Sequence, residues 1–215
     1  MASGVEDALA RWVSGRPESS AITTPYRSTR QLIGRLWCLP SRFCEIQYDV
    51  LDGKSLNLTG DGYEQPFVPR PFPPVPASPG WDSEGPEKRL RPFLLWAALQ
   101  LAATDETGHR RSVLISVPER VGGYAQDFLD ILNSEWVNVE LPNYFDPPEG
   151  AHNESLWARC LESCADYFGT ESREYRLLQK GIAVHHGKMP GLLARLVVEV
   201  IEARIVRVVL ATSTL

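Results

Sequence analysis

The second half of the chain contains apolar patterns of two kinds. Helical spacing of apolar residues predicts five helices, over residues 87–103, 123–132, 154–168, 171–180 and 191–203. Short continuous apolar runs predict three buried parallel strands, over residues 112–117, 182–184 and 205–211. A further strand is predicted over residues 136–141. Helices that alternate with strands in this order predict an α/β domain with a mainly parallel sheet, and such sheets bind ligands beyond the carboxyl ends of their strands.

The first 85 residues are organised differently. A short amphipathic helix is predicted over residues 6–13 and a brief strand over 21–24. A β-hairpin follows, with strands over 43–50 and 55–58 joined at the turn-forming pair Asp52-Gly53. Residues 65–86 are rich in proline, which neither continues a helix nor pairs in a central strand. We expect an extended strap across the surface, with a ligand for a proline-binding module as the alternative.

Composition and charge narrow the class of protein. A hydrophobic content of 43% and a charged content of 23% are ordinary for a globular domain. No apolar run approaches the roughly 20 residues that span a bilayer, and the amino-terminal residues lack the pattern of a secretory signal, so a cytoplasmic protein without a membrane partner is expected. The net charge of −5 argues against binding of nucleic acid by bulk positive potential. It leaves room for a local phosphate-binding edge.

Candidate metal ligands are few. Cys160 and Cys164 lie one helical turn apart and, with His185 and His186, offer four groups that bind metals in principle. No pair of cysteines has the Cys-x-x-Cys spacing of a zinc knuckle or a redox motif. We therefore expect free, partly buried thiols and no metal site.

Two stretches look like nucleotide-binding motifs and fail on their context. Gly53-Lys54-Ser55 resembles the end of a P-loop, but Tyr48 stands where that loop needs a glycine, and the segment is predicted as a hairpin turn. Asp105-Glu106 resembles a magnesium-binding acidic pair, but it follows a helix where the motif requires a strand. Neither stretch is expected to bind a nucleotide.

The carboxyl-terminal part of the chain carries the candidate site. A predicted strand passes into a helix through a turn of His185, His186, Gly187 and Lys188, and free N–H groups at a helix start attract phosphate. The last strand ends in hydroxyl side chains that can donate to phosphate oxygens without reading base sequence. Seven residues are therefore candidates for contact with a nucleic-acid backbone: His185, His186, Gly187, Lys188, Thr212, Ser213 and Thr214. The alternative is structural, with the histidines capping a helix and the threonines ending a strand.

Three parts of the chain resemble the Ski-like DEAD/DEAH-box helicases of superfamily 2. The turn at 185–188, the helix after it and the strand ending in Ala211-Thr212-Ser213-Thr214-Leu215 resemble the second RecA-like domain, in which that strand ends in motif V. Residues 112–120 look like motif IV, the first strand of that domain. Residues 7–12 and 26–30 resemble the stretch after motif III, where the chain leaves the first RecA-like domain.

The resemblance implies a fragment of an ATP-dependent helicase. Residues 1–85 would form an inter-domain segment, and residues 86–215 an incomplete RecA-like sheet with flanking helices that stops within motif V. Because a P-loop, a magnesium-binding pair and the arginine-finger motif are lacking, the chain is expected to bind no cofactor and to hydrolyse no ATP. ATP and Mg²⁺ would bind the intact parent. The expected partners are single-stranded DNA or RNA, the first RecA-like domain and the rest of the helicase.

Two other classes of function remain open on the sequence alone. The chain is alternatively a non-catalytic module that binds nucleic acid or a helicase partner. The other alternative is an unrelated α/β enzyme that uses His185 or His186 as a general base. No nucleophile motif or pair of carboxylates accompanies the histidines in the sequence.

Overall fold

The computed structural model describes residues 34–38, 44–48, 73–76, 84–104, 108, 110–118 and 120–212. Within the first two segments, Leu36 is the one residue whose side chain is described. The predictions for residues 6–13, 21–24, 52–58 and 105–106 lie outside these ranges.

The described residues form two sheets and five α-helices. Two strands, β1 (Gly34–Cys38) and β2 (Cys44–Tyr48), pair with each other. The second sheet contains β3 (Val113–Val117), β4 (Ile182–His185) and β5 (Val208–Thr212). The helices are α1 (Pro86–Ala102), α2 (Val121–Asp130), α3 (Ala151–Phe168), α4 (Arg173–Gln179) and α5 (Gly191–Glu202). The predicted α/β class, the five helices and the three parallel strands are confirmed.

The three-stranded sheet has the order β3-β5-β4, and both of its pairings are parallel. The strand that comes last in the sequence is therefore central, and its residues Val208–Ala211 are all buried. All three strands point the same way, so their carboxyl ends lie along one edge of the sheet. The turn into α2, the turn into α5 and the end of β5 meet at that edge.

Two hydrophobic clusters enclose the sheet, one on each face. The first packs α1 and α2 against residues such as Ile115 and Leu210. The second packs α3 and α5 against Ala183 and includes Leu193 and Cys160. Helix α5 buries Leu193, Leu196, Val197 and Val200, which recur at helical spacing on one side. The face shared with the second cluster is left uncovered at β3, where Leu114 is 55% exposed.

A polar network joins α1 to α2 on the outside of the first cluster. The Arg91 guanidinium lies 4.0 Å from the centre of the Tyr124 ring and donates to Asp127 at 2.5 Å and to Glu87 at 3.1 Å. The Tyr124 hydroxyl donates to the same Glu87 carboxylate at 2.8 Å. Because Arg91 and Asp127 are largely buried, their charged hydrogen bonds are screened by water less than an exposed pair would be.

Part of the proline-rich segment packs on α1. Pro73–Pro76 has neither helical nor strand structure, and Val75 is buried in the first cluster. The Trp96 indole N–H donates to the Pro73 carbonyl at 2.8 Å. These four residues therefore lie against the domain as a strap would, while the prediction for the rest of residues 65–86 lies outside the described residues.

The strand predicted over residues 136–141 is wrong. After α2 the chain forms a π-helical turn, Ile131–Glu135, and then irregular turns: the Trp136 N–H donates to the Ile131 carbonyl and the Val139 N–H to the Trp136 carbonyl. Trp136 is fully buried and packs edge-on against Trp96, with ring centres 5.4 Å apart. Trp136 is buried against Trp96 of α1, whereas Val137 is 62% exposed, so the alternation of apolar residues here does not mark a strand.

The predicted hairpin is described at one strand only. Strand β2 lies within the predicted range 43–50, but its described partner is β1, which precedes it. No strand was predicted over residues 34–38. This short segment carries Arg35 between apolar residues and is followed closely by Pro40, so it offers little strand signal.

Candidate nucleic-acid interface

Parallel pairing of β4 with β5 brings two parts of the candidate site to one edge of the sheet. His185, the last residue of β4, lies beside Ala211, one residue before the end of β5 at Thr212. The turn at residues 186–188 and the end of β5 therefore leave the sheet side by side. Residues separated by more than 20 positions in sequence thus become neighbours at the ligand-binding edge that parallel sheets use.

His185 is partly buried in the sheet and carries no positive charge at neutral pH. Burial lowers the pKa of His185 below its usual value near 6.5, and the neighbouring His186 lowers it further. The Nδ1 atom is shielded from solvent and has no hydrogen-bond partner among the residues that the structure describes. His185 accordingly contributes to the edge as a neutral imidazole, and it offers a phosphate no attraction of charge.

The next three residues form the turn, and two of them are exposed. The Met189 N–H donates to the His186 carbonyl at 2.9 Å, which closes the turn and exposes Gly187 and Lys188. The His186 ring lies 6.2 Å from the Phe168 ring at the end of α3. Lys188 therefore supplies the positive charge of the turn, and His186 is positioned by an aromatic neighbour.

Helix α5 begins immediately after this turn with no side-chain cap. Its N-cap residue is Pro190, which has no side-chain acceptor for the N–H groups of the first turn. The partial positive charge of those groups adds to that of Lys188.

At the end of β5, Thr212 is partly buried. The other two predicted hydroxyl residues, Ser213 and Thr214, lie outside the described residues. The structure thus places five of the seven predicted residues along one edge, which are His185, His186, Gly187, Lys188 and Thr212.

Two arginines at the same edge were not among the predicted site residues. Arg120 is exposed between β3 and α2 and adopts a left-handed backbone conformation with φ of 55°. Arg173, at the start of α4, lies against the first turn of α2, because a Cβ added at Gly122 would come within 2.7 Å of its Nη2 atom. Arg173 also pairs with Glu174 at 3.1 Å.

The position of one of these arginines can be predicted from the sequence, and that of the other cannot. Arg120 directly follows a predicted strand, so its place at the edge follows from the element pattern. Arg173 reaches the edge through the packing of α4 on α2, which no local pattern predicts.

Two of the four cysteines, Cys160 and Cys164, are buried between helices and the sheet. Cys160 and Cys164 are free thiols in the second cluster, and burial raises the pKa of each to about 12. Within the described part of the chain, no three histidine, cysteine, aspartate or glutamate side chains converge as a metal site requires. The thiols pack as small apolar groups.

No protein-family model matches the sequence, and no curated protein is significantly similar to it. None of the helices in the described ranges combines the length and apolar composition needed to cross a bilayer.

Proposed function

We propose that this chain is part of a superfamily 2 helicase and that its sheet belongs to a RecA-like domain. In this proposal the edge formed by the ends of β4 and β5 holds the phosphate backbone of single-stranded DNA or RNA. The observation that carries the proposal is the register of β4 against β5, which places the turn at 186–188 beside Thr212. The order β3-β5-β4 with helices on both faces is compatible with part of a RecA-like sheet.

The charges at the edge support contact with a phosphate backbone. Lys188, Arg120 and Arg173 carry positive charge there, and the uncapped first turn of α5 adds N–H donors. Phosphate contacts of this kind hold a strand in place without reading its bases. Because His185 is neutral, the salt dependence of binding should come from the lysine and the arginines.

The chain is proposed to bind nucleic acid without hydrolysing ATP. The sequence contains no complete P-loop, and its near-match around Lys54 lacks the first glycine. ATP and Mg²⁺ would act in the intact helicase, between this domain and its first RecA-like domain. As a binding module alone, the chain would keep the same interface.

The test is a titration of the purified chain with labelled single-stranded DNA and RNA at several salt concentrations, with ATP turnover measured in the same samples. The variants are Lys188→Gln and Thr212→Ala. The control is Arg159→Gln, which makes the same charge change at an exposed position on α3, distant from the edge.

We expect Lys188→Gln to weaken binding and to lower the slope of log K against log salt by about 0.7, the value for one phosphate contact on a single strand. Thr212→Ala should weaken binding with little change in slope, because a hydroxyl releases no counterion. Arg159→Gln should change neither. Absence of salt-sensitive binding by the folded chain, or an equal loss in the control, would contradict the interface, and ATP turnover would contradict the non-catalytic role.

A further inference from the structure

A polar pocket lies at the amino end of the sheet, opposite the proposed interface. It has a volume of about 360 Å³ and opens between the segment Tyr144–Glu149 and the connection from α5 to β5. Arg110 stands just before β3 and Arg207 just before β5, where the Val113 N–H donates to the Arg207 carbonyl at 2.7 Å. The start of the sheet therefore fixes the positions of Arg110 and Arg207 in the wall of the pocket.

Three arginines line this pocket. Arg110 is paired with Asp146, which also lines it. Arg204 and Arg207 also face it, and neither forms an ion pair with another residue that the structure describes. The pocket therefore contains more positive charge than its carboxylates neutralise by contact, in a chain whose net charge is −5.

Arg207 lies close enough to Arg110 and Arg204 for their positive charges to act on it. Burial lowers the pKa of Arg207, Arg110 and Arg204 lower it further, and Asp146 acts in the opposite direction. Gathering like charges costs free energy unless an anion balances them. Arg204 also adopts a left-handed conformation, with φ of 57°, at a helix end where glycine is the usual residue.

We propose that this pocket binds the phosphate group of a small organic phosphate ester. Guanidinium forks match pairs of phosphate oxygens, and the two arginines without an ion pair balance the charge of a phosphate dianion. Phe145, Pro147 and Ile205 provide an apolar wall beside the arginines, which suits the organic part of the ester. The site is separate from the proposed nucleic-acid interface and does not depend on it.

The carboxylates of the pocket provide a specific test of the proposal. Asp146 and Glu149 both line the pocket and oppose an incoming anion. Asp146 also forms an ion pair with Arg110. A bound phosphate would therefore compete with Asp146 for the Arg110 guanidinium. Replacing Asp146 by asparagine should therefore strengthen phosphate binding, whereas a purely structural role of the ion pair would predict weaker folding and no gain in affinity.

The test is calorimetric titration of the whole chain with inorganic phosphate and with phenyl phosphate, at constant ionic strength set with chloride. The disruptive variant is the double substitution Arg204→Gln/Arg207→Gln, and Arg207→Lys keeps the charge while removing the fork. Arg89→Gln is a control for the loss of positive charge elsewhere, since Arg89 is exposed on α1, outside the pocket. Circular dichroism verifies that each variant is folded.

We expect saturable binding of phenyl phosphate that is tighter than binding of inorganic phosphate. The double variant should bind about tenfold more weakly or worse, since it removes charged hydrogen bonds. Arg207→Lys should lose less, Arg89→Gln should lose nothing, and Asp146→Asn should bind more tightly. The proposal is overturned if neither probe binds saturably, if the folded double variant binds as well as the parent, or if inorganic phosphate binds as tightly as the ester.

Discussion

At the scale of single residues, Gly181 shows how closely the chain is packed between α4 and β4. It has φ of 77°, a conformation that costs other residues about 1–2 kcal/mol. A Cβ added there would lie 2.2 Å from Cγ of Phe145, whose ring packs against Trp157 with centres 5.6 Å apart. Both the backbone and the neighbouring ring therefore require glycine, and this position fixes where β4 begins.

Gly181→Ala is expected to lower the free energy of unfolding by about 2–5 kcal/mol, from backbone strain together with overpacking against Phe145. Phe145→Gly removes the three nearest clashing atoms, including the Cβ at 2.6 Å, and in that background the same substitution should cost only about 1–2 kcal/mol of strain. Urea unfolding of the four proteins of this cycle measures both values. An equal cost in the two backgrounds would show that the ring does not set the penalty.

At the scale of elements, the helices and parallel strands are predictable because each carries a strong local pattern. Helix α5 has its buried leucines and valines at helical spacing, and β5 is a continuous buried run. The same reasoning fails at Trp136, whose burial comes from Trp96 on another element. It also gives no indication of β1, because a short strand with mixed residues acquires its structure from its partner.

The strap provides a test at this scale, because Trp96 holds Pro73–Pro76 through one hydrogen bond. Trp96→Phe keeps an aromatic ring against Trp136 but removes the indole donor, and should destabilise the protein by about 1–2 kcal/mol. Trp157→Phe is the control: its indole forms no hydrogen bond to another described residue, and it should cost less. Thermal unfolding compares the two variants, and equal losses would indicate that the bond to Pro73 contributes nothing.

At the scale of the whole molecule, position in the sheet explains which of the candidate site residues can be predicted from the sequence. His185 and Thr212 end apolar strands, so the pattern of elements alone places them at one edge. Arg110 and Arg207 likewise precede two paired strands, whereas Arg173 reaches its edge only when α4 packs on α2, and its place in the sequence carries no such signal. Neighbours at the ends of strands are therefore predictable here, whereas a residue that arrives through the packing of helices is not.

We expect the central strand β5 to couple the two hydrophobic clusters, because Leu210 belongs to the first and β5 pairs with β4, whose Ala183 belongs to the second. A substitution that destabilises one cluster should therefore also destabilise the other. Leu193 is fully buried in the second cluster, and Leu193→Ala should cost about 2–5 kcal/mol of stability. Its neighbour Leu192 is 56% exposed on the same helix, and Leu192→Ala should change stability by about 0.5 kcal/mol or less.

The expected result of coupling is a single unfolding transition, in which Leu193→Ala speeds amide hydrogen exchange in α2 as much as in α5. Exchange through global unfolding depends on the total free energy, so a cavity beneath α5 lowers the protection of both helices equally. Hydrogen exchange measured by mass spectrometry on peptides from each helix gives the loss of protection in α2 and in α5 separately. If only α3 and α5 lost protection while α2 stayed protected, the clusters would unfold independently, and β5 would not be the element that unites them.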